Sequence, residues 1–443
     1  MIKTRYLLGF LVIGAFVLGA CATPAAEAPE EEVVAQVDPT ACNVPVPDSP
    51  VTITYFGWPF EIMEFYADEM EKCGEVENIE VNVQFLDFTA VNEQVDLALS
   101  GGGESPYDIL HMSNVEVSNL GNNGWLFPLN DLIDKYRDEY DLDDIAAASF
   151  QGATVDGQIY GIPAINNTLH LAYRSDLFEQ YGIDVPTNYD EVIAACEVLA
   201  DEPSIDYPFT LDLSADWAWE IEFLAFARSY GTDYLNDDLT PAFNGPEGVA
   251  GLTKMKEVVD ACMGPEGLAG SPYETAEVAL NTGGQAFIHI WASNTVSMFD
   301  PEVSDFADVI KFAPAAAPKP GSLLGGSAWT DYYGIPLTTQ NDPELVFLII
   351  MEALDKESQE RGADFGAVTR SSITKGLPNK PALAETIANG VGIYDTHPAV
   401  PLAQAGLMQF LPFVGTGEMT PQEALDAAAE AYIAEATAQG YLP

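Results

Sequence analysis

The chain has 443 residues, of which 69 are acidic and 16 are basic, so its formal net charge at pH 7 is −53. A surface this acidic repels nucleic acid and anionic lipid headgroups, which excludes nucleic-acid binding and argues against an anionic ligand held by charge alone. Because 48% of the residues are hydrophobic, the chain can build the cores of two domains of ordinary size.

The N-terminus has the layout of an export signal. Lys3 and Arg5 give a short basic start, and an apolar run from Tyr6 to Val17 leads to small residues before Cys21. The run is shorter than the roughly 20 apolar residues that cross a bilayer. The four residues ending at Cys21 resemble the lipobox of bacterial lipoproteins. This resemblance implies that residues 1–20 are a cleaved signal peptide and that Cys21 is acylated, with the body outside the cytoplasm.

Residues 21–50 are rich in alanine, proline and glutamate and have no apolar periodicity. Such a segment buries too little to fold, so we predict a disordered tether between the acylated cysteine and a body that begins near Val51.

The four cysteines that remain after Cys21 form an even set, which predicts disulfides in an exported protein. We favour the pairs Cys42–Cys73 and Cys196–Cys262, because the members of each pair lie in one predicted region of the chain. Four buried free thiols are the alternative.

Strands and helices alternate along the body. Residues 51–56, 79–86 and 107–112 read as strands, separated by helical patterns over 60–73 and 90–99. Farther on we predict an extended run over 166–173, a helix opened by Thr187 as its cap with Asp190 reaching back, and a buried strand over 286–291. Helices are predicted over 246–262, 343–355 and 421–438. This order predicts an α/β fold with parallel strands.

Several short motifs occur in a recognisable order. They are Gly161-Ile162-Pro163, then Leu171 to Phe178, then Pro186 to Glu191, then Gly284 to Phe287 with Trp291, and finally Gly325-Gly326-Ser327 with Gly334-Ile335-Pro336. Together they resemble the extracellular solute-binding proteins of ABC importers, in the family that includes the maltose-binding protein. The chain departs from the family pattern at Tyr189, where tryptophan is usual, and at Arg174-Ser175, where Asn-Lys is usual.

The resemblance implies a two-lobed periplasmic-binding-protein-like fold. Each lobe would be a mostly parallel sheet flanked by helices, with interlobe crossings near residues 166–170, 326–329 and 369–371. Residues 51–168 with 328–368 would form one lobe, and residues 169–327 with 369–443 the other. Ligand would bind in the cleft, the lobes would close by hinge bending, and the closed form would dock on the transmembrane subunits of an ABC permease.

Candidate site residues follow from the chemistry of a sugar, whose ring faces are covered by aromatics and whose hydroxyls bond amides, carboxylates and arginine. Ligands in α/β lobes lie beyond the carboxyl ends of strands. The candidate ligand-binding residues are Trp58, Glu61, Ser113, Asn114, Asn166, Asn167, Asp216, Trp217, Trp291, Ser327, Trp329, Asp331, Tyr332 and Arg370. Core packing for the tryptophans, turn formation for the asparagines and pairing with an acid for Arg370 are the alternatives.

The sequence therefore predicts a monomeric, lipid-anchored receptor that captures a neutral sugar, oligosaccharide or polyol, without catalysis, cofactor or nucleic-acid partner. The four histidines lie far apart in the sequence, so we expect no metal site. The alternative is a ferric-ion receptor on the same fold that uses Tyr332 and Tyr333. A glycoside-acting enzyme with two carboxylates across a sugar is the third hypothesis.

Overall fold

A computed structural model of the protein describes residues 41–214, 217–392 and 395–443. The predicted signal peptide, the acylation site Cys21 and most of the predicted tether lie outside the described residues. Within the described part, no helix combines the length and apolar character that crossing a membrane requires.

The described residues contain eleven strands, β1 to β11. In chain order they are Val51–Gly57, Ile79–Phe85, Ile109–Ser113, Thr154–Val155, Gln158–Ile159, Ile162–Asn167, Leu169–Arg174, Phe209–Thr210, Phe287–Trp291, Ile310–Ala313 and Trp329–Gly334. The sixteen α-helices in the same residues, α1 to α16, are Glu61–Glu71, Phe88–Ser100, Asn114–Asn122, Asn130–Tyr136, Ser175–Tyr181, Tyr189–Leu199, Ala218–Tyr230, Pro246–Val258, Gly264–Ala269, Tyr273–Thr282, Pro343–Ala353, Lys356–Gly362, Lys380–Asn389, Val400–Phe410, Pro412–Gly415 and Pro421–Ala438.

A five-stranded sheet in the order β2-β1-β3-β11-β6 forms the centre of the first lobe. β1 pairs in parallel with both β2 and β3, whereas β11 is antiparallel to β3 and β6. The central β1 is buried on both faces, while the edge strand β2 alternates between buried or half-buried and exposed residues. This difference follows from position, because helices cover both faces of an inner parallel strand.

A four-stranded sheet in the order β10-β7-β9-β8 forms the centre of the second lobe. Only β8 and β9 pair in parallel here, and β7 is antiparallel to both β9 and β10. Each sheet therefore contains both parallel and antiparallel pairs and is mixed. The antiparallel strands of both sheets adjoin the passages between the lobes. The core of this lobe packs the sheet against α6, α7, α8, α14 and α16.

The chain passes between the lobes three times. It first passes at Thr168, between β6 and β7, and next between β10 and β11. The third passage follows Ser372, which bonds Asp144 of the first lobe, and precedes Asn379, which donates to Ala292 O of the second at 2.8 Å. The third passage therefore lies a few residues beyond the predicted position.

The first lobe includes residues that precede the predicted start at Val51. Cys42 is bonded to Cys73, and Val44 is buried in the core of the first lobe. The Asn43 N–H also donates to Glu352 Oε2 at 2.7 Å. The disulfide joins this segment to Cys73, two residues after α1, so the segment from Cys42 belongs to the folded body and not to the predicted tether.

The second disulfide joins Cys196 of α6 to Cys262, so both pairs are the ones favoured from the sequence. The cap of α6 differs by one residue from the prediction. Asn188 accepts from the N–H groups of Asp190 and Glu191, whereas Thr187 donates to the Glu191 carboxylate. The predicted cap residue thus takes part in the turn but does not itself cap the helix.

Candidate functional site

Two sheet edges meet where the chain first passes between the lobes. β1 and β2 are parallel, so Trp58 and Asp87, which follow them, leave the first sheet at the same edge. β11 runs antiparallel to β3, which brings its first residue, Trp329, to that edge as well. In the second sheet Trp291 ends β9 and pairs with Leu169 at the start of β7. The edges of the two lobes therefore face one another.

A cavity of about 310 Å³ lies between these edges. Four of the six tryptophans of the chain line it. The complete set of lining residues is Trp58, Pro59, Phe60, Asp87, Phe88, Thr89, Asn167, Trp217, Tyr273, Glu274, Trp291, Ser293, Asn294, Trp329 and Asp331. Rings dominate its apolar surface, and short amides, hydroxyls and carboxylates supply its polar groups.

The rings form a continuous aromatic arc, which we define as Trp58, Phe88, Trp217, Trp291 and Trp329. Successive ring centroids along the arc are 4.9, 6.2, 6.1 and 5.5 Å apart. These spacings lie within the range of favourable aromatic pairs. Phe88 belongs to the first lobe and Trp217 to the second, so their contact closes the cleft.

On the first-lobe side, Trp58 lies on the ring of His111. Their centroids are 3.5 Å apart and the rings are nearly parallel at 21°. His111 Nε2 lies 3.4 Å from Asp331 Oδ1, which also accepts from Trp329 Nε1 at 3.4 Å. Burial lowers the pKa of His111 despite this carboxylate, so its imidazole is neutral at neutral pH.

On the second-lobe side, Trp291 is held by a buried polar network. Its indole Nε1–H donates to Asp212 Oδ2 at 3.1 Å, and the Asp212 N–H donates to Glu222 Oε1 at 3.0 Å. His289 Nδ1 lies 2.8 Å from the same Glu222 oxygen. Burial, together with the nearby charge of Glu222, raises the pKa of Asp212 to about 8. The network fixes the direction of the Trp291 ring.

Asn167 connects the first passage between lobes to the end of β9. Its Nδ2 donates to Ser293 Oγ at 2.8 Å, and its Oδ1 accepts from the N–H groups of Thr168 at 3.0 Å and Ser293 at 3.2 Å. Asn167 is buried and lines the cavity. It therefore sets the geometry of the hinge and presents an amide at the same place.

Six of the predicted site residues line the cavity together: Trp58, Asn167, Trp217, Trp291, Trp329 and Asp331. Asp216 lies outside the described residues. Among the others, Asn114 Oδ1 accepts from the Thr330 N–H at 2.9 Å, and Thr330 Oγ1 in turn donates to Asn166 at 3.3 Å. These two asparagines hold β11 beside the cavity instead of lining it.

Four further predicted residues also act in support of the fold. Ser113 caps α3 in a capping box with Glu116, and Ser327 Oγ bonds Gly392 O at 3.4 Å. Glu61 begins α1, and burial raises the pKa of its carboxyl. The buried Arg370 donates to Leu354 O at 3.0 Å, and so bonds a carbonyl at the C-terminal end of α11. It does not line the cavity where a hydroxyl clamp was expected.

The adjacent tyrosines do not converge on a common point. The Tyr332 hydroxyl donates to Ser149 O at 2.9 Å, and the Tyr333 hydroxyl lies 3.1 Å from Met63 Sδ. Successive strand residues point to opposite faces, and these rings pack in different core clusters. The two hydroxyls cannot share one ion, so the ferric hypothesis built on this pair is wrong. Within the described residues no three side chains of histidine, cysteine, aspartate or glutamate are grouped so that they could hold a metal ion.

Sequence reasoning missed several lining residues. Asp87, Phe88 and Thr89 follow β2 just as Trp58 follows β1, so the rule of strand ends could have found them. Tyr273 and Glu274 come from the first turn of α10. No pattern in the chain indicates that this helix approaches the cleft.

Comparison with known proteins identifies the family. Residues 62–360 match the family described as bacterial extracellular solute-binding protein. The chain belongs to this family. The mannitol-binding protein of Pseudomonas aeruginosa is 24% identical to it over 378 residues, which are 78% of this chain and 83% of that protein.

Solved structures share the fold of this solute-binding protein. An ABC transporter solute-binding protein from Agrobacterium radiobacter, in complex with ribitol, has a TM-score of 0.77 at 23% identity and covers 87% of this chain and 99% of its own. One from Agrobacterium vitis, with bound D-mannitol, has a TM-score of 0.73 at 22% identity and covers 88% and 99%. The two-lobed architecture is therefore that of the family.

Proposed function

We propose that this protein is the lipid-anchored receptor of an ABC importer and that its cavity captures a neutral sugar or polyol. The observation that carries the proposal is the aromatic arc, which joins the two lobes through the contact of Phe88 with Trp217 at 6.2 Å. Aromatic faces cover the C–H faces of carbohydrates, and the polar edges of the same cavity bond hydroxyls.

The polar groups of the cavity suit a ligand rich in hydroxyls. Asn167 and Ser293 offer donors and acceptors at the hinge, and Asp331 offers a carboxylate acceptor on the other side. All three are buried, so each gains more from a bound hydroxyl than it would at an exposed surface. The ribitol and mannitol that the related structures hold are ligands of this chemistry.

The volume favours a small ligand. About 310 Å³ is at the lower end of the roughly 300–1,000 Å³ of small-molecule sites, and Phe88 and Trp217 close the cleft. A monosaccharide or an open-chain polyol fits this enclosure better than a long oligosaccharide. Entry requires the lobes to separate at Phe88 and Trp217, with bending at the three passages between them.

The test is a titration of the mature chain without its predicted lipid-bearing Cys21, beginning at residue 22, with ribitol, mannitol, sorbitol, glucose and maltose. We expect a saturable change in tryptophan fluorescence and a rise in melting temperature for the ligand that binds, because a ligand of the folded state stabilises by mass action. Trp217→Ala should abolish both signals. Trp125→Ala is the matched control, since Trp125 lies outside the cavity lining. Absence of binding to every member of the panel would contradict the proposal.

Anchoring and import need separate tests. Cys21 would carry the lipid, and Cys21→Ala should release the full chain from membranes into the soluble fraction. Cells that lack the receptor should lose uptake of the ligand and regain it with the wild-type chain. Retention of the Cys21→Ala protein on membranes would argue against lipid anchoring but would leave the binding proposal intact.

We propose that the receptor performs no catalysis. Incubation of the bound ligand with the protein should return it unchanged, and aryl glycosides should release no product. Product formation that disappears in Asp331→Asn would support the glycoside-acting alternative instead.

A further inference from the structure

The ionisable side chains that line the cavity are all acidic, a feature that binding a neutral ligand on aromatic rings does not require. Three carboxylates line the cavity, those of Asp87, Glu274 and Asp331. Among the described lining residues, none is lysine or arginine. Elsewhere in the same lobes acids do have cationic partners, as Asp176 has in Arg174 at 2.7 Å.

The one basic partner of Asp331 does not neutralise it. His111 Nε2 lies 3.4 Å from Asp331 Oδ1, but burial lowers the pKa of this imidazole. At neutral pH His111 is therefore an uncharged neighbour, and the buried carboxylate of Asp331 has no cationic partner among the described residues within ion-pair distance. A buried carboxylate without a cation beside it gains from a positive group on a ligand.

Two more acids lie close behind the lining, one on each lobe. Burial, together with the charges of Glu61 and Glu274, raises the pKa of Glu277 on α10 to about 7. Glu61 belongs to the first lobe, so the carboxyls of both lobes approach one another at the cleft. Closing the cleft on a cation would relieve this repulsion, whereas closing it on an anion would increase it.

The rings favour the same sign of charge. The aromatic arc brings four indole rings and one phenyl ring to the cavity, with successive ring centroids 4.9 to 6.2 Å apart. Indole faces attract cations within about 6 Å, most strongly where water is excluded. Aromatic faces together with carboxylates and no basic side chain form the pattern that recognises ammonium groups.

We propose that the cavity selects carbohydrates by charge. It binds an amino-bearing sugar or polyol more tightly than the neutral compound of the same skeleton, and it excludes the acidic compound. This inference rests on the proposed function, since it names the charge class of the ligand of that same site. The ammonium group would lie between the aromatic arc and the carboxylates of Glu274 and Asp331.

The test uses two matched series on the mature chain. One is D-glucitol, 1-amino-1-deoxy-D-glucitol and D-gluconate, and the other is glucose, glucosamine and glucuronate. Each series keeps the carbon skeleton and changes one group from neutral to cationic to anionic. Calorimetric titration at pH 7 should give about tenfold tighter binding for the amino compound than for its neutral parent, and no binding for the acid. High salt should reduce the preference.

A pair of single-charge variants separates the cavity from the overall charge of the protein. Glu274→Gln should bring the ratio of the amino and neutral affinities toward one. Glu93→Gln, on the exposed face of α2, changes the net charge equally and should leave the ratio as it is. A melting curve for each variant checks that it is folded.

The outcomes are distinct. Binding of a neutral parent with equal or weaker binding of its amino compound would overturn the charge inference and leave the proposed function standing. Binding of gluconate or glucuronate as tight as that of the neutral parent would do the same. Absence of binding throughout both series would overturn the proposed function and this inference together.

Discussion

The two lobes hold their cavity tryptophans in different ways. In the first lobe Trp58 is half-buried and stacks on His111, with 3.5 Å between ring centroids. In the second lobe Trp291 is buried, and its Nε1–H donates to the buried Asp212 at 3.1 Å. Of these two rings only Trp291 donates its own indole N–H to a carboxylate, because Asp331 beside His111 accepts from Trp329 and not from Trp58.

This difference predicts different roles in ligand binding for the first-lobe and second-lobe sides of the cavity, which we call its two walls. A stacked ring can slide and tilt at small cost, whereas a hydrogen bond to a buried carboxyl fixes the ring in one direction. The second lobe therefore offers a rigid platform, and the first lobe offers a ring that adjusts as the cleft closes. We expect the ligand to bind Trp291 first and Trp58 on closure.

The largest expected effect comes from removing the fixed ring. Trp291→Ala should weaken ligand binding by about 100-fold or more, since buried tryptophans at the centre of a site dominate its affinity. It should also lower the free energy of unfolding by roughly 3–5 kcal/mol. Trp58→Ala should weaken binding by about tenfold and cost less stability, because Trp58 is only half-buried. Calorimetry measures the affinity and urea denaturation measures the free energy of unfolding. Equal losses of affinity in Trp291→Ala and Trp58→Ala would contradict the different roles assigned to the two rings.

A second effect tests the closing contact between the lobes. Phe88→Ala removes the ring that meets Trp217 at 6.2 Å, so the closed state should lose affinity by about tenfold, mainly through faster dissociation. Stopped-flow fluorescence measures the rate. Phe365→Ala is the matched control, because its ring stacks on Phe65 at 5.2 Å within the first lobe. If both variants change dissociation alike, the contact of Phe88 has no special part in closure.

How much of this site could be predicted depends on the kind of contact. The sequence predicts Trp58 and Trp291 at a sheet edge because each lies at the end of a strand, and both line the cavity. The order of strands and helices predicts the α/β class, the resemblance to the solute-binding family implies the two lobes, and the positions of the cysteines predict both disulfides. These features depend on local pattern, which a single sequence carries.

A different cause explains why some predicted site residues do not line the cavity and why one lining residue was not predicted. Arg370 bonds Leu354 O and Asn114 bonds the Thr330 N–H, and both partners lie far away in the sequence or on another element. The same residue types could as well bond a ligand. Tyr273 reaches the cavity only through the packing of α10. Tertiary packing decides which polar group is used by the fold and which remains for a ligand.

A third effect concerns the pH response of the second-lobe network. Burial raises the pKa of Asp212 from its ordinary 3.8 to about 8, so the folded state binds this proton more tightly than the unfolded state. Stability should therefore fall as pH rises from about 4 to 8. Asp212→Asn keeps an oxygen acceptor for Trp291 and should reduce this fall by about 2 °C or more in melting temperature. Asp237→Asn removes an exposed carboxylate and should leave this fall in stability unchanged.

Glu220 limits the size of that effect, because burial also raises its pKa to about 8. It belongs to a separate buried group with Tyr234 and Gln404, so its contribution stays in the Asp212→Asn protein. We therefore expect the melting temperature of the Asp212→Asn protein to fall less steeply with pH than that of the wild type, but still to fall. A slope equal to that of the wild type would show that Asp212 is not the group responsible.

The smallest effect should have the opposite sign and come from the first lobe. Burial lowers the pKa of His111 below its ordinary 6.5, so the unfolded state binds the proton more tightly and stability falls as pH drops below about 6.5. His111→Phe keeps a ring beneath Trp58 and removes this titration, so the loss of melting temperature between pH 7 and 5 should shrink by about 1 °C. His170, whose pKa burial lowers to about 3, responds in the same direction and remains in both proteins. An unchanged loss of melting temperature between pH 7 and 5 in His111→Phe would show that His111 does not cause this loss. Because Asp212 and His111 lie in different lobes, the two lobes would then differ in their pH response as well as in the way they hold a tryptophan ring.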